Sequence, residues 1–275
     1  MQFNEYVPCE KYSSLVKCFW SINGEAQNKL ERIVPGGCAE ILFNLGDPLT
    51  IEKGSDVFEF KNVIIGGQIT GHVNIPLKGN IDIFAIRFYP STAHQVLRSD
   101  MDDLNDSFYG YSEVVSNKQI PSLDHMLVAG NDKNRIQALN TFLERCLSTY
   151  DSSRQVRVNQ CIDALNKQTD HFSKYDLAAE LKVTSRRVEQ IFSELIGLRP
   201  KLFWRIKRLQ KIVNEMRLGM HHNLTQLAYH FDYFDQAHFN RDFKMLTGIP
   251  PKEYLNEQPF LSSKFTDPEG LSQAL

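Results

Sequence analysis

The sequence predicts an α+β protein of 275 residues in which a β-rich N-terminal domain precedes an all-α C-terminal domain. In the first half, short runs of β-branched and aromatic residues are separated by Gly and Pro. From about residue 153, apolar residues recur at the spacing of amphipathic helices. The charge changes at the same place: residues 1–152 carry 13 Lys or Arg and 19 Asp or Glu, whereas residues 153–258 carry 17 and 12. This asymmetry indicates that the second half meets a polyanion.

The strands are predicted from runs bounded by turn residues, and many short strands favour a sandwich or barrel. The candidates are Leu15–Ile22, Glu40–Leu45, Val63–Ile65, Gly71–Pro76 and Ile81–Phe88. A short helix, Ser91–Leu97, follows them with Ser91 as its N-cap.

A longer helix is predicted between residues 131 and 150, because apolar residues recur there at spacings of three and four. They are Ile136, Leu139, Leu143, Cys146 and Tyr150. Two interpretations stay open at this stage: a seam between two copies of the chain, or a helix packed on its own β-domain.

Two copies of one helix-turn-helix unit are predicted in the basic half, at residues 175–203 and 225–254, with Leu-Ala opening the match and Gly-x-x-Pro closing it. Thr184 and Asp235 are expected to cap the second helix of each unit, and Gly197 and Gly248 to end it in a left-handed conformation. One face of each second helix is apolar, so the other is free to enter a major groove.

The outward faces carry residue types that contact bases and phosphates. The predicted DNA-binding residues are Arg186, Arg187, Gln190, Gln236, His238, Asn240, Arg241 and Lys244. A helix predicted at Lys201–Arg217 joins the two units. Its basic residues are expected to attract phosphates: Arg205, Lys207, Arg208 and Lys211.

Residues ~157–257 resemble the AraC/XylS family of transcription regulators. The run Leu227–Lys244 followed by Thr247–Tyr254 matches the family's pattern of Ala, Gly-Phe, Phe-x-Arg-x-Phe-Lys, Gly, Pro and an aromatic residue. Two departures are Asp232-Tyr233 in place of Gly-Phe and Ala237 in place of a small polar residue. Asp tolerates the left-handed conformation, so we expect the turn to survive. The resemblance implies two helix-turn-helix units on a long helix, which bind double-stranded promoter DNA and often activate transcription.

The stretch Arg32–Phe43 and the triplet Gly66-Gly67-Gln68 resemble the β-rich sensor regions of a subset of this family, which are commonly cupin-like or barrel-like and bind an effector or dimerise. Aromatic residues on the predicted strands are candidates for lining an effector pocket, or alternatively for filling the β core. They are Phe19, Trp20, Phe43, Phe84 and Phe88.

The sequence contains no motif that predicts catalysis, a cofactor or a metal site. His72, His94 and His125 are solitary, without metal-ligand spacing. The five cysteines show no C-x-x-C pair and are expected to be reduced thiols: Cys9, Cys18, Cys38, Cys146 and Cys161. Since no run of ~18 apolar residues is present and Met1–Tyr6 does not resemble a secretory signal, we expect a cytoplasmic protein without membrane contact.

The predicted function is sequence-specific transcription regulation, with activation as the expected mode. The expected domains are a β-rich sensor at 1–130, a helix and linker at 131–152, the tandem helix-turn-helix domain at 153–258 and a flexible tail at 259–275. RNA polymerase, a small-molecule effector and a second copy of the chain are the further partners considered. The alternative is a small-molecule-binding or enzymatic β-domain, for which the helical half docks a partner.

Overall fold

The computed structural model describes residues 1–110, 113, 130–147, 153–168, 171–220, 223–257, 261 and 264. The strands are β1 Gln2–Tyr6, β2 Val16–Ile33, β3 Glu40–Asn44, β4 Leu49–Lys53, β5 Asp56–Phe60, β6 Val63–Gly66, β7 Val73–Phe88 and β8 Phe108–Gly110. The helices are α1 Ala93–Leu97, α2 Asp132–Leu147, α3 Ser153–Asn166, α4 Lys174–Glu180, α5 Ser185–Ile196, α6 Pro200–Leu218, α7 Leu224–His230, α8 Gln236–Thr247 and α9 Pro251–Glu257. The prediction of a β-rich region followed by an all-α region is confirmed.

The β-strands form one antiparallel sheet in the order β1-β2-β7-β3-β6-β8, in which β4 pairs with both β5 and β7. Two strands are longer than predicted. The candidates Gly71–Pro76 and Ile81–Phe88 belong to the single strand β7, which passes through Gly79 at a φ of +75°. Its partner β2 shifts register between Ala26 and Lys29. Glycine and irregular pairing bend long strands, so these positions let β2 and β7 curve without breaking the sheet.

The alternation of side chains along the strands gives the sheet two buried faces. One face carries Phe19, Phe43, Phe84 and Phe88, which pack beneath α1 and α2. The opposite face carries a second apolar cluster, among whose members are Trp20, Leu42, Ile64 and Ile83. The stretches Cys18–Ile22 of β2, Ile41–Asn44 of β3 and Ile83–Phe88 of β7 are buried on both sides, which explains why they are mostly apolar.

Helix α2 packs on its own β-sheet. Leu139, Leu143 and Cys146 are buried there, and the Phe142 ring meets the Phe43 ring edge-to-face at 6.3 Å between centroids. The interpretation of these residues as a seam between two copies is therefore wrong, since the sheet already covers them. Tyr150, the last residue of that pattern, lies outside the described residues.

The N-cap of α1 is Thr92 and not Ser91. Thr92 makes no capping bond; its hydroxyl donates to the carbonyls of Leu15 and Tyr89, which ties the helix to the start of β2 and the end of β7. Ser91 donates instead to Asn159 of α3 at 3.2 Å.

The β-rich and helical halves touch at several points. Ser193 of α5 donates to Asp102 at 2.6 Å, and Arg32 of β2 pairs with Glu257 of α9 at 3.0 Å. Helix α6 also reaches the sheet region, because Gln210 donates to the carbonyl of Pro35.

The expectation of a flexible tail is wrong at Leu261. Its side chain is 4% exposed within the apolar cluster of the sheet, and its backbone N–H donates to a Glu31 carboxylate oxygen at 3.0 Å. Burial of an aliphatic side chain holds this residue in place. Among the described residues, no helix is long and apolar enough to cross a membrane.

A pair of glycine substitutions tests the contact between β-domain and helical half. Gly219 and Gly248 both have positive φ, at +65° and +83°, so alanine at either costs about 1–2 kcal/mol. A methyl group on Gly248 would also lie 2.3 Å from the His72 ring, whereas nothing lies within 4 Å at Gly219. We expect Gly248→Ala to lower the free energy of unfolding by clearly more than Gly219→Ala in urea denaturation. Equal losses would contradict this packing, and His72→Ala should remove the excess.

Candidate nucleic-acid interface

The turns of both helix-turn-helix units are fixed by local hydrogen bonds. Thr184 accepts a hydrogen bond from the backbone N–H of Arg187 at 3.2 Å, and Asp235 accepts one from that of His238 at 2.6 Å. Both predicted N-caps are confirmed, and they satisfy donors that a helix start leaves free.

The first helices of the two units end in matching left-handed residues. Lys182 has a φ of +53° and Asp232 a φ of +54°. The expectation that Asp232 adopts this conformation in place of glycine is confirmed. Gly197 and Gly248 end α5 and α8 at φ +89° and +83°, as predicted.

Buried residues anchor the inner face of the second helix of each unit, α5 and α8. These two are called the recognition helices. Val188 and Phe192 of α5 and Phe239 and Phe243 of α8 are at most 1% exposed. They belong to one cluster that also includes the apolar residues of α6. A shared core fixes the two recognition helices relative to the bridging helix.

The predicted DNA-binding residues do not all lie open to solvent. Arg186 and Gln190 of α5 and His238, Arg241 and Lys244 of α8 are exposed. Arg187, Gln236 and Asn240 are half-buried; Gln236 accepts a hydrogen bond from Thr225 at 2.7 Å. The exposed groups are the ones that a groove can reach, and their contacts with DNA stay a prediction.

Two arginines that were expected to attract phosphates are instead held inside the helical half. Arg205 and Arg208 of α6 both pair with the buried carboxylate of Asp242 on α8, Arg205 Nε at 2.9 Å and Arg208 Nη2 at 3.4 Å. The Arg208 guanidinium also lies between the rings of Trp204 and Tyr233, at 4.5 and 3.9 Å from their centroids. Charge pairing and ring stacking therefore fix the bridge to the second recognition helix.

The tyrosine that replaces phenylalanine in the second unit takes part in this cluster. The Tyr233 hydroxyl donates to Asp242 at 2.8 Å, and burial raises its pKa. Sequence reasoning missed the cluster. The available signal was the unusual Tyr233 together with Asp242, an acid placed between the apolar residues Phe239, Phe243 and Leu246.

Lys207 is also placed differently from the prediction, because it is only 8% exposed. Its ammonium donates to the Asn166 side chain at the end of α3. Burial, and secondarily repulsion by Lys211, lower the pKa of Lys207 to about 8. Of the four bridge residues that were expected to attract phosphates, Lys211 is the exposed one.

A separate, mainly apolar cavity of about 100 Å³ lies against the sheet face opposite α2. Trp20 lines it, whereas the other four aromatic candidates, Phe19, Phe43, Phe84 and Phe88, pack on the opposite face. Phe19 and Trp20 are consecutive on β2, so their side chains point to opposite faces of the sheet. Trp20 is the one of the five that lies on the cavity side. The further lining includes Ile33, Leu42, Ile51, Ile69, Val73, Ile75 and Phe108.

Two residues from beyond the β-sheet also line this cavity, Gln210 of α6 and Leu261 of the C-terminal segment. Gln210 Oε1 is buried and has no hydrogen-bond partner among the described residues. On the β side, the ion pair of Arg87 with Glu40 borders the same space. The cavity thus combines apolar walls with a few polar groups, which is typical of small-molecule sites.

No three His, Cys, Asp or Glu side chains in the described part of the chain are grouped so as to hold a metal ion. His72 lies against Gly248, and His94 is buried in α1. His125 lies outside the described residues.

A comparison with family models supports the interpretation of the helical half as a helix-turn-helix domain. A helix-turn-helix domain family matches residues 177–257, which include α5, the bridge and α8. These residues form a helix-turn-helix domain, and the sequence pattern within it resembles that of the AraC/XylS family. A domain family of unknown function, DUF6597, matches residues 4–109 of the β-rich half. None of the curated proteins matches the sequence significantly.

Solved structures similar to this chain include ToxT from Vibrio cholerae O395, at 12% identity and a TM-score of 0.48, over 87% of this chain and 97% of that one. Another is ToxT from Vibrio cholerae strain SCE256 bound to an unsaturated fatty acid, at 11% identity and a TM-score of 0.48, over 86% and 94%. The AraC-like transcriptional activator CuxR matches at 14% identity and a TM-score of 0.30, over 72% and 78%.

The Asp242 cluster of the helix-turn-helix domain predicts a large stability effect. Asp242→Asn leaves Arg205 and Arg208 without a charged partner, and breaking a buried ion pair costs about 3–5 kcal/mol; the partial exposure of both arginines places the loss at the lower end. Asp232→Asn, an exposed acid at the turn, is the matched control and should change little. Urea unfolding followed by circular dichroism measures both. A loss under about 1 kcal/mol for Asp242→Asn would show that the cluster is not structural.

Proposed function

We propose that this chain is a sequence-specific, DNA-binding transcription regulator in which α5 and α8 enter successive segments of the major groove. The helix-turn-helix domain makes the general function, DNA-binding transcription regulation, plain. The observation that carries the finer proposal is the pair of capped, buried-backed helices whose outward faces carry Arg186, Gln190, His238 and Arg241.

The bridge has a length suited to this arrangement. Helix α6 contains 19 residues, or roughly 28 Å at ~1.5 Å per residue. Successive major-groove segments on one face of B-DNA lie ~34 Å apart. Since α6 joins the two helix-turn-helix units within one chain, a single copy can present α5 and α8 to one face of the duplex.

We also propose that the cavity against the sheet binds a small, mainly apolar effector. Its walls are aliphatic and aromatic, and the unsatisfied Gln210 Oε1 favours a molecule with a hydrogen-bond donor at that end. Because Gln210 belongs to α6, a ligand in the cavity would contact the bridge of the DNA-binding domain directly. Occupancy would then change the position of the recognition helices.

The remaining regulatory features are inferred from the resemblance of the sequence. We expect activation of transcription through contact with RNA polymerase, and a cytoplasmic location. A homodimer would have to use a surface other than the buried face of α2. The domain boundaries at residues 130, 152 and 258 are part of this proposal, with Leu261 added to the sensor half.

A substitution of Arg241 tests the proposed contact between α8 and the bases. Arg241→Ala should weaken binding to the cognate site by ~1–3 kcal/mol and relax the preference at one base pair, because a bidentate contact to guanine is lost. Arg145→Ala, an exposed arginine on α2, is the control. Fluorescence anisotropy with a site selected from random duplexes gives both affinity and preference. Unchanged affinity and preference for Arg241→Ala would exclude the proposed docking.

The effector cavity is tested by filling it. Thermal-shift screening of small apolar alcohols, amines and acids should find compounds that raise the Tm of the wild type, since a ligand of the native state stabilises it. Ile69→Trp places an indole in the cavity and should abolish those shifts, whereas Val57→Trp, at an exposed position of β5, should not. Shifts that persist in Ile69→Trp would place the ligand elsewhere.

A further inference from the structure

A second cavity, of about 210 Å³, lies within the helical half, between the ends of α3 and α7 and one face of α6. The face of α6 that borders it carries Trp204, Lys207, Arg208 and Lys211. These positions follow the i, i+3, i+4, i+7 spacing of a single helix face. Three of the four side chains are cationic. The cavity is therefore bordered by several positive charges from one helix.

The ammonium group of Lys207 is buried and forms no ion pair with any described residue. It donates to the neutral amide of Asn166, and Lys211 also forms no ion pair within the described part of the chain. Lys211 adds repulsion, which contributes to the low pKa of Lys207. An unpaired buried ammonium costs free energy. The empty cavity is therefore electrostatically unfavourable, and an anion would remove that cost.

Arg208 supplies a further donor. Its guanidinium is held between two rings and by Asp242, which leaves the Nε–H buried without a hydrogen-bond partner. Among the described residues, the carboxylates near the cavity are Asp232 at its edge and Asp163, which acts on Lys207 by charge alone. Two more are already paired with lining residues, Glu215 with His230 at 3.4 Å and Asp242 with Arg208. Two lysines and a fixed guanidinium around one space favour an anion of more than one charge.

We propose that this cavity binds a phosphate group. Lysine binds phosphate as a point charge, and two ammonium groups together with the Nε–H donor of Arg208 match a dianion better than a monovalent carboxylate. The phosphate has two possible sources: the backbone of the duplex bound by α5 and α8, or a free phosphorylated small molecule. The duplex source rests on the proposed function, whereas the free source does not.

The test uses the full chain and inorganic phosphate as the probe. In thermal-shift measurements at constant ionic strength, replacing chloride by phosphate should raise the Tm of the wild type by about 2–4 °C. Lys211→Gln, at an exposed position that folding does not need, should reduce this rise, and Lys207→Gln/Lys211→Gln should abolish it. Lys201→Gln, an exposed lysine of the same helix outside the cavity, should respond as the wild type does.

A salt titration of DNA binding separates the two sources. If the duplex supplies the phosphate, the slope of log Kd against log salt falls by about 1 in Lys211→Gln and stays unchanged in Lys201→Gln. An unchanged slope together with the phosphate-dependent Tm rise assigns the site to a free ligand. A wild-type Tm that responds equally to phosphate and chloride, with an unchanged slope in Lys211→Gln, overturns the proposal. Wild-type binding in the same titration reports the proposed function separately.

Discussion

The pairing of Asp242 with Arg205, Arg208 and Tyr233 is the interaction on which the geometry of the helical half depends. It joins the bridge, the second turn and the second recognition helix through one buried carboxylate. Apolar packing alone would allow α8 to slide or rotate on α6, because apolar contacts have little directional preference. The charge-assisted hydrogen bonds fix one orientation. The outward direction of His238 and Arg241 follows from that orientation.

The same cluster explains why the basic charge of this half is less available than its total indicates. Arg205 and Arg208 are neutralised internally, and Lys207 is buried. Exposed basic residues remain on α5, α6 and α8, and others lie elsewhere on the helical half, among them Arg157, Lys167 and Lys252. The affinity for a polyanion therefore depends on the placement of these groups more than on their number.

The sequence was sufficient to predict the features that depend only on neighbouring residues. Thr184, Asp235, Gly197, Gly248 and Asp232 act within a few residues of their own positions, so capping rules and glycine-like conformations predicted both turns. It was insufficient where the outcome depends on distant partners. Phe43 and Trp20 are both apolar strand residues, and only the position of α2 decides which of the two sheet faces becomes a closed core. Likewise, the basic residues of α6 gave no sign of the acid on α8 that two of them would meet.

The β-rich half contacts both helix-turn-helix units at separate points. Asp102 holds Ser193 near the end of α5, and His72 lies against Gly248 at the end of α8. Because the N-terminal half contacts both units, it constrains the distance and the angle between α5 and α8. The helical repeat of DNA fixes the angle between successive segments of the major groove. A small change in the curvature of the sheet would alter the helical repeat that α5 and α8 can match. A change in the shape of the β-rich half would therefore change the angle between α5 and α8.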